Sequence, residues 1–106
     1  MEQNCYNGAF EISIRELMKF LNIISDANRL KIICLLGKED KCVCEIWKDL
    51  KMPQNLTSYH LKMLKDFKLL NSKKIGLKVI YQLNKNNLFK YKQMLDHFIS
   101  PNNIHK

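Results

Sequence analysis

The sequence predicts a mainly α-helical single domain with one small β-ribbon, in the order ααααββα, and three observations carry that prediction. Apolar residues recur at helical spacing from the start, as Ile14, Leu17, Met18, Leu21 and Ile24 do. Over 69–75 and 78–83 the period changes to the alternation of strands, joined across Gly76-Leu77. Helical spacing then returns at Leu88, Tyr91, Met94, Leu95 and Phe98 and stops ahead of Pro101.

A chain of 106 residues forms one domain, large enough for a core and small enough to gain from dimerisation. No stretch approaches the run of about 18 apolar residues that spans a bilayer. The start, Met1-Glu2-Gln3-Asn4-Cys5, lacks the basic and apolar regions of an export signal, so the expected location is cytoplasmic, without a membrane partner. A net charge of +8 favours polyanions, nucleic acid first. Lysines sit in solvent almost by default, so their positions must decide what the charge is for.

In order, residues 1–11 read as a flexible arm with a turn at Asn7-Gly8, residues 12–100 as the folded domain, and residues 101–106 as a tail. Ser25-Asp26 offers an N-cap to a second helix, with Leu30, Ile33, Cys34 and Leu36 apolar, that ends at Gly37. Cys34 is expected there as a small buried hydrophobe. After a charged loop over 37–41, Cys42 opens a short helix over 43–50 with Val43, Ile46, Trp47 and Leu50 facing inward. Lys51-Met52-Pro53 breaks the chain, and Pro53 fits the first position of the next helix, where its missing N–H is harmless. That helix runs to about Phe67 and offers Leu56, Leu61, Leu64 and Phe67 to the core. Helix, short turn and helix in that order is the pattern of a helix-turn-helix, and a two-stranded ribbon with lysines at its tip follows it. Residues 84–87 read as a polar link to the last helix.

The second helix of the motif is expected to expose Gln54, Asn55, Thr57, Ser58, Tyr59 and Lys62. Gln and Asn can bond an adenine edge through two hydrogen bonds, Ser and Thr reach bases or phosphates, and Lys binds guanine or phosphate. Lys65 and Lys68 continue the basic line. Lys73, Lys74 and Lys78 bracket the ribbon turn, where a hairpin can lie along the backbone or reach a minor groove. Two basic elements in that relation predict double-stranded DNA as the partner. No Ser/His/Asp set, glycine-rich phosphate loop or His-rich metal motif is present, so an enzyme is not expected, nor an organic cofactor.

The four cysteines stand at 5, 34, 42 and 44, and a cytoplasmic chain gives no reason to read them as a disulfide framework. Cys42 and Cys44 are too close in sequence for an easy disulfide with each other. Where the chain bends, however, both sulfurs can turn toward one centre. Thiolates select soft ions, which points to As(III), Sb(III), Cd(II), Pb(II) or Zn(II) over Mg or Ca.

From about residue 24 to 83 the chain resembles the ArsR-type metalloregulators. The matching stretches are Asp26-Ala27-Asn28-Arg29-Leu30-Lys31-Ile32, Cys42-Val43-Cys44-Glu45-Ile46, Thr57-Ser58-Tyr59-His60-Leu61-Lys62-Met63-Leu64 and Gly76-Leu77-Lys78-Val79-Ile80-Tyr81-Gln82-Leu83. The resemblance implies a winged helix-turn-helix repressor that binds operator DNA as a homodimer through its first and last helices. It also implies that Cys-Val-Cys is an arsenic or cadmium/lead box. Two ligands do not complete such a site, because As(III) takes three thiolates and Cd(II) or Zn(II) usually four ligands. Arsenic-sensing members often carry a third cysteine where this chain has Trp47, which cannot ligate.

Cadmium/lead members bring two N-terminal cysteines to the box; this chain has one, Cys5, on its arm. Cys5, Cys42 and Cys44 together suit As(III), Sb(III) or Pb(II) better than tetrahedral Cd(II). Asp96, His97 and His105 depart from the family's other metal pattern and read as surface residues. No cysteine follows Cys44 to complete the family's persulfide-sensing pair with Cys34. The expected function is repression relieved by a thiophilic ion. A thiol-redox repressor and a DNA-binding regulator without a ligand stay open.

Overall fold

The computed structural model describes residues 8–100, with side chains from Ser13 onward. The order is α1 (Gly8–Ile24), α2 (Ala27–Lys38), β1 (Lys41–Cys42), α3 (Val43–Asp49), α4 (Gln54–Asp66), β2 (Leu70–Ile75), β3 (Lys78–Leu83) and α5 (Lys85–Ile99).

Two helix starts, those of α2 and α5, follow polar side chains able to satisfy free backbone N–H groups. Asp26 caps α2, its Oδ1 accepting from the N–H groups of Asn28 at 2.8 Å and Arg29 at 3.1 Å. Asn84 caps α5 by accepting from Asn87 N–H at 3.2 Å, so the stretch expected as a polar link is the cap and first turn of the last helix. Pro53 is the cap of α4 rather than its first residue, with an extended ψ of 142°. Helix α1 begins at Gly8 rather than Ile12, taking in the end of the expected arm, and α2 passes Gly37 to end at Lys38.

The ribbon has a third strand that the sequence did not reveal. The sheet order is β1-β3-β2, with Lys41 opposite Tyr81 and Cys42 opposite Ile80. A two-residue strand has too little alternation to be read from sequence. Strands β2 and β3 pair from Leu70–Leu83 to Ile75–Lys78, about the expected Gly76-Leu77 turn.

The core gathers Leu17 and Phe20 of α1, Ile32 and Leu36 of α2, Ile46 of α3, Leu61 and Leu64 of α4, then Leu69, Leu70 and Tyr91. Phe20 stacks on Tyr91 with ring centroids 4.7 Å apart, which fastens α1 to α5. Leu56, Phe67, Val43 and Leu50 pack against this core from half-buried positions. Cys34 does not join it: the buried stripe of α2 runs through Ile32 and Leu36, and Cys34 faces outward. Helical spacing turns position 34 away from both of those neighbours.

Leu64→Ala should lower stability by about 2–5 kcal/mol, read as a lower urea midpoint at constant slope. An unchanged midpoint would contradict the packing. The Asp26 carboxyl is held below its ordinary value of 3.8, chiefly by the backbone N–H of Arg29, with smaller help from His60 and the Asn28 N–H and against partial desolvation. A depressed carboxylate stabilises the fold above its unfolded pKa and loses that contribution as pH falls through its folded one. The stability gap between wild type and Asp26→Asn should therefore narrow below about pH 4; urea titrations across the acid range measure it.

Candidate DNA interface and cysteine box

Helix α4 divides cleanly into two faces. Gln54, Asn55, Ser58, Tyr59, Lys62 and Lys65 are exposed, whereas Thr57, His60, Leu61 and Leu64 are buried. Thr57 corrects the expectation of an outward side chain. It is fully buried, and its hydroxyl donates to Pro53 O at 3.0 Å across the first turn. A threonine one turn in can satisfy its own hydroxyl on the helix backbone, which lets it serve as a packing residue. Lys62 Nζ lies 2.8 Å from Asp66 Oδ2, and that hydrogen bond holds the Lys62 ammonium above its ordinary pKa. Tyr59 is 53 % exposed and is the large aromatic of the outward face.

Beneath Tyr59 lies a polar arrangement that sequence reasoning missed. His60 is 4 % exposed. Its Nδ1 accepts from Arg29 Nε at 3.0 Å, and its Nε2 faces Asp26 Oδ1 at 3.9 Å. The Arg29 guanidinium also donates to Ile23 O at 3.1 Å and sits 5.8 Å from the centre of the Tyr59 ring. The side chain that caps α2, the arginine in its first turn and the histidine under the exposed face of α4 thus form one unit. The available signal was Asp26-Ala27-Asn28-Arg29 and a histidine within the helix-turn-helix, but only the fold brings residues 29 and 60 together.

The break between α3 and α4 is closed by backbone bonds from Leu50 N–H to Ile46 O and from Met52 N–H to Trp47 O, each 3.0 Å. Lys51 takes the left-handed conformation there, with φ 53°. At the other end of α4, Lys68 does the same at φ 67°, and Leu69 N–H bonds Leu64 O at 3.0 Å. The hairpin therefore leaves α4 without a free linker. Lys73, Lys74 and Lys78 are all exposed on it.

Cys42 is at once the last residue of β1 and the cap residue of α3, with φ −81° and ψ 161°. Its N–H donates to Glu45 Oε1 at 3.0 Å, one half of a capping box. Lys41, only 14 % exposed, pairs with Asp49 at 3.0 Å and Glu39 at 3.6 Å, and the Asp49 contact chiefly raises its pKa. Cys42 is 1 % exposed and Cys44 half-buried. The two are joined as a disulfide with Cα atoms 5.3 Å apart, which corrects the expectation that their closeness disfavours one. The reason is the bend: a strand residue followed at once by helix turns positions 42 and 44 toward one another, within the usual Cα span of a disulfide.

As reduced thiolates the same pair would offer two sulfurs to one soft ion. The donor set among the described residues stops there, since they gather no group of three or more His, Cys, Asp or Glu. Glu45 is engaged in capping. Cys5 lies outside the described residues, as does His105. Cys34 is exposed on α2, and Asp96 and His97 are exposed on α5. No helix among the described residues is long and apolar enough to cross a membrane.

Comparison with known proteins agrees with this geometry. Residues 26–72 match the model of a family described as bacterial regulatory protein, arsR family. The arsenical resistance operon repressor of Staphylococcus xylosus is 36 % identical over 85 residues, covering 80 % of this chain and 82 % of that one. The cadmium resistance transcriptional regulatory protein CadC of Listeria innocua is 43 % identical over 68 residues, covering 63 % and 56 %. An ArsR-like transcriptional regulator from a Rhodococcus species superposes with a TM-score of 0.73 at 25 % identity, covering 80 % of each chain. A helix-turn-helix with a small wing, a cysteine pair at the entry to its first helix and these relatives lead to one conclusion: the chain belongs to the arsR family of bacterial regulatory proteins.

Proposed function

We propose that the chain is a cytoplasmic transcriptional repressor whose homodimer holds operator DNA and lets go when a thiophilic ion binds Cys42 and Cys44. Its DNA surface comprises Gln54, Asn55, Ser58, Tyr59, Lys62 and Lys65 of α4 with Lys73, Lys74 and Lys78 of the wing. The dimer forms through α1 and α5, where Met18, Phe89 and Ile99 leave apolar side chains 50–59 % exposed. As(III) or Sb(III) is the favoured effector, ahead of Cd(II), Pb(II) and Zn(II), with Cys5 as third sulfur.

One observation carries the effector assignment: Cys42 sits where β1, α3 and the wing meet. An ion drawing Cys42 and Cys44 together acts on the helix before the recognition helix and, through Ile80, on the wing. It need only bind the DNA-free shape better; a coupling of about 1–3 kcal/mol changes DNA affinity roughly 5- to 150-fold. The names of the relatives, arsenical and cadmium resistance regulators, support the same class of effector.

The disulfide favours a second reading. In it, an oxidant such as a peroxide takes two electrons and two protons from the thiols, and the Cys42–Cys44 bond itself is the signal. Operator release by peroxide without metal, reversed by dithiothreitol, would select that reading; release by As(III) under reducing conditions selects the first.

With a duplex selected by the protein from a randomised pool, reduced wild type should release DNA on adding As(III). Cys42→Ser should bind that duplex within about twofold of wild type yet ignore As(III); a retained response would remove Cys42 from the site. Tyr59→Ala should weaken binding by about 1–3 kcal/mol, measured by fluorescence anisotropy. Unchanged affinity would move the reading surface off α4.

A further inference from the structure

Leu77 is 98 % exposed at the tip of the wing. It follows Gly76, whose φ of 62° makes the sharp reversal, and Leu77 itself keeps an ordinary negative φ. A two-residue hairpin loop of that kind needs glycine first and places almost no demand on the second residue. Turn geometry therefore does not account for a leucine in open water. Ile75, on the other side of Gly76 and paired with Lys78, is 55 % exposed. Lys73, Lys74 and Lys78 surround the pair, and none of them meets an acid among the described residues. The tip is an apolar point in a cationic collar.

We propose that Leu77 is a wedge that enters the minor groove of bound DNA, Ile75 packing behind it and the lysines meeting the flanking phosphates. Leucine and isoleucine are among the side chains that part base steps from that groove and kink the duplex toward the major groove. Pyrimidine–purine steps yield most readily, so the wedge reads deformability at positions that α4 does not touch. The inference rests on the DNA-binding reading given above and adds a second specificity element to it. An anionic lipid surface would also suit such a tip. DNA is favoured because the wing leaves α4 through the Leu69–Leu64 backbone bond, so the same rigid unit presents the base-reading face.

The test uses the reduced full chain and a duplex selected by wild type from a randomised pool, with 2-aminopurine placed at successive steps outside the α4 contacts. Leu77→Ser lies at an exposed turn, and an unchanged thermal transition will establish that it folds. Wild type should brighten 2-aminopurine at one step on each side of the site and bend the duplex, seen by energy transfer between its ends. Leu77→Ser should lose the brightening and most of the bend, and bind on the order of tenfold more weakly with an unaltered salt slope. Lys78→Ala should instead reduce the salt slope and keep the brightening. Equal affinity and equal brightening in wild type and Leu77→Ser would overturn the wedge and leave the repressor reading standing. Failure of wild type to select any duplex would overturn both. Leu77-dependent binding to phosphatidylserine vesicles, with DNA binding unaffected by Leu77→Ser, would overturn the wedge in favour of a lipid surface.

Discussion

The pairing of Cys42 with Ile80 is the constraint on which the rest depends. Two residues of strand, Lys41 and Cys42, tie the entry of α3 to the central strand of the wing, and Lys41 bonds across to Asp49 at the far end of α3. The short helix is therefore held at both ends, and the wing is held to it. Through that tie, position 42 is paired with the wing and opens the first helix of the helix-turn-helix.

A second set of bonds sets where α4 can sit. His60, Arg29 and Asp26 join the underside of the exposed helix face to the start of α2. Buried polar groups are costly unless bonded, and among the described residues no buried side-chain nitrogen or oxygen lacks a partner. An alternative seat for α4 would have to break the part-buried Arg29–His60 bond. The outward face carrying Tyr59 and Lys62 is thus presented by bonded groups beneath it as well as by Leu61 and Leu64.

Much of this was legible in the sequence. The apolar spacings located the five helices, and alternation about Gly76-Leu77 located the hairpin, because those patterns are long enough to carry their own period. The outward set on α4 was readable except for Thr57, whose hydroxyl finds a partner on its own helix. Strand β1 was not readable, since two residues have no period. Nor was the Arg29–His60 bond, which spans 31 positions and exists only once α2 and α4 are packed. Cys34 looked buried because its neighbours are apolar, yet the turn of the helix puts it outside. The closeness of Cys42 and Cys44 seemed to oppose a bond between them, and the strand-to-helix bend removes that objection.

In this account the cysteine pair, the helix-turn-helix and the wing form one mechanical unit, and the soft-ion chemistry of the pair is useful because of where the pair stands. Amide hydrogen exchange on the reduced protein, with and without saturating As(III), tests that coupling most directly. Exchange should change at Lys41, Cys42, Ile80 and Tyr81 and along α4. Stoichiometric As(III) binding that leaves the β1–β3 pairing and α4 unaltered would contradict the account.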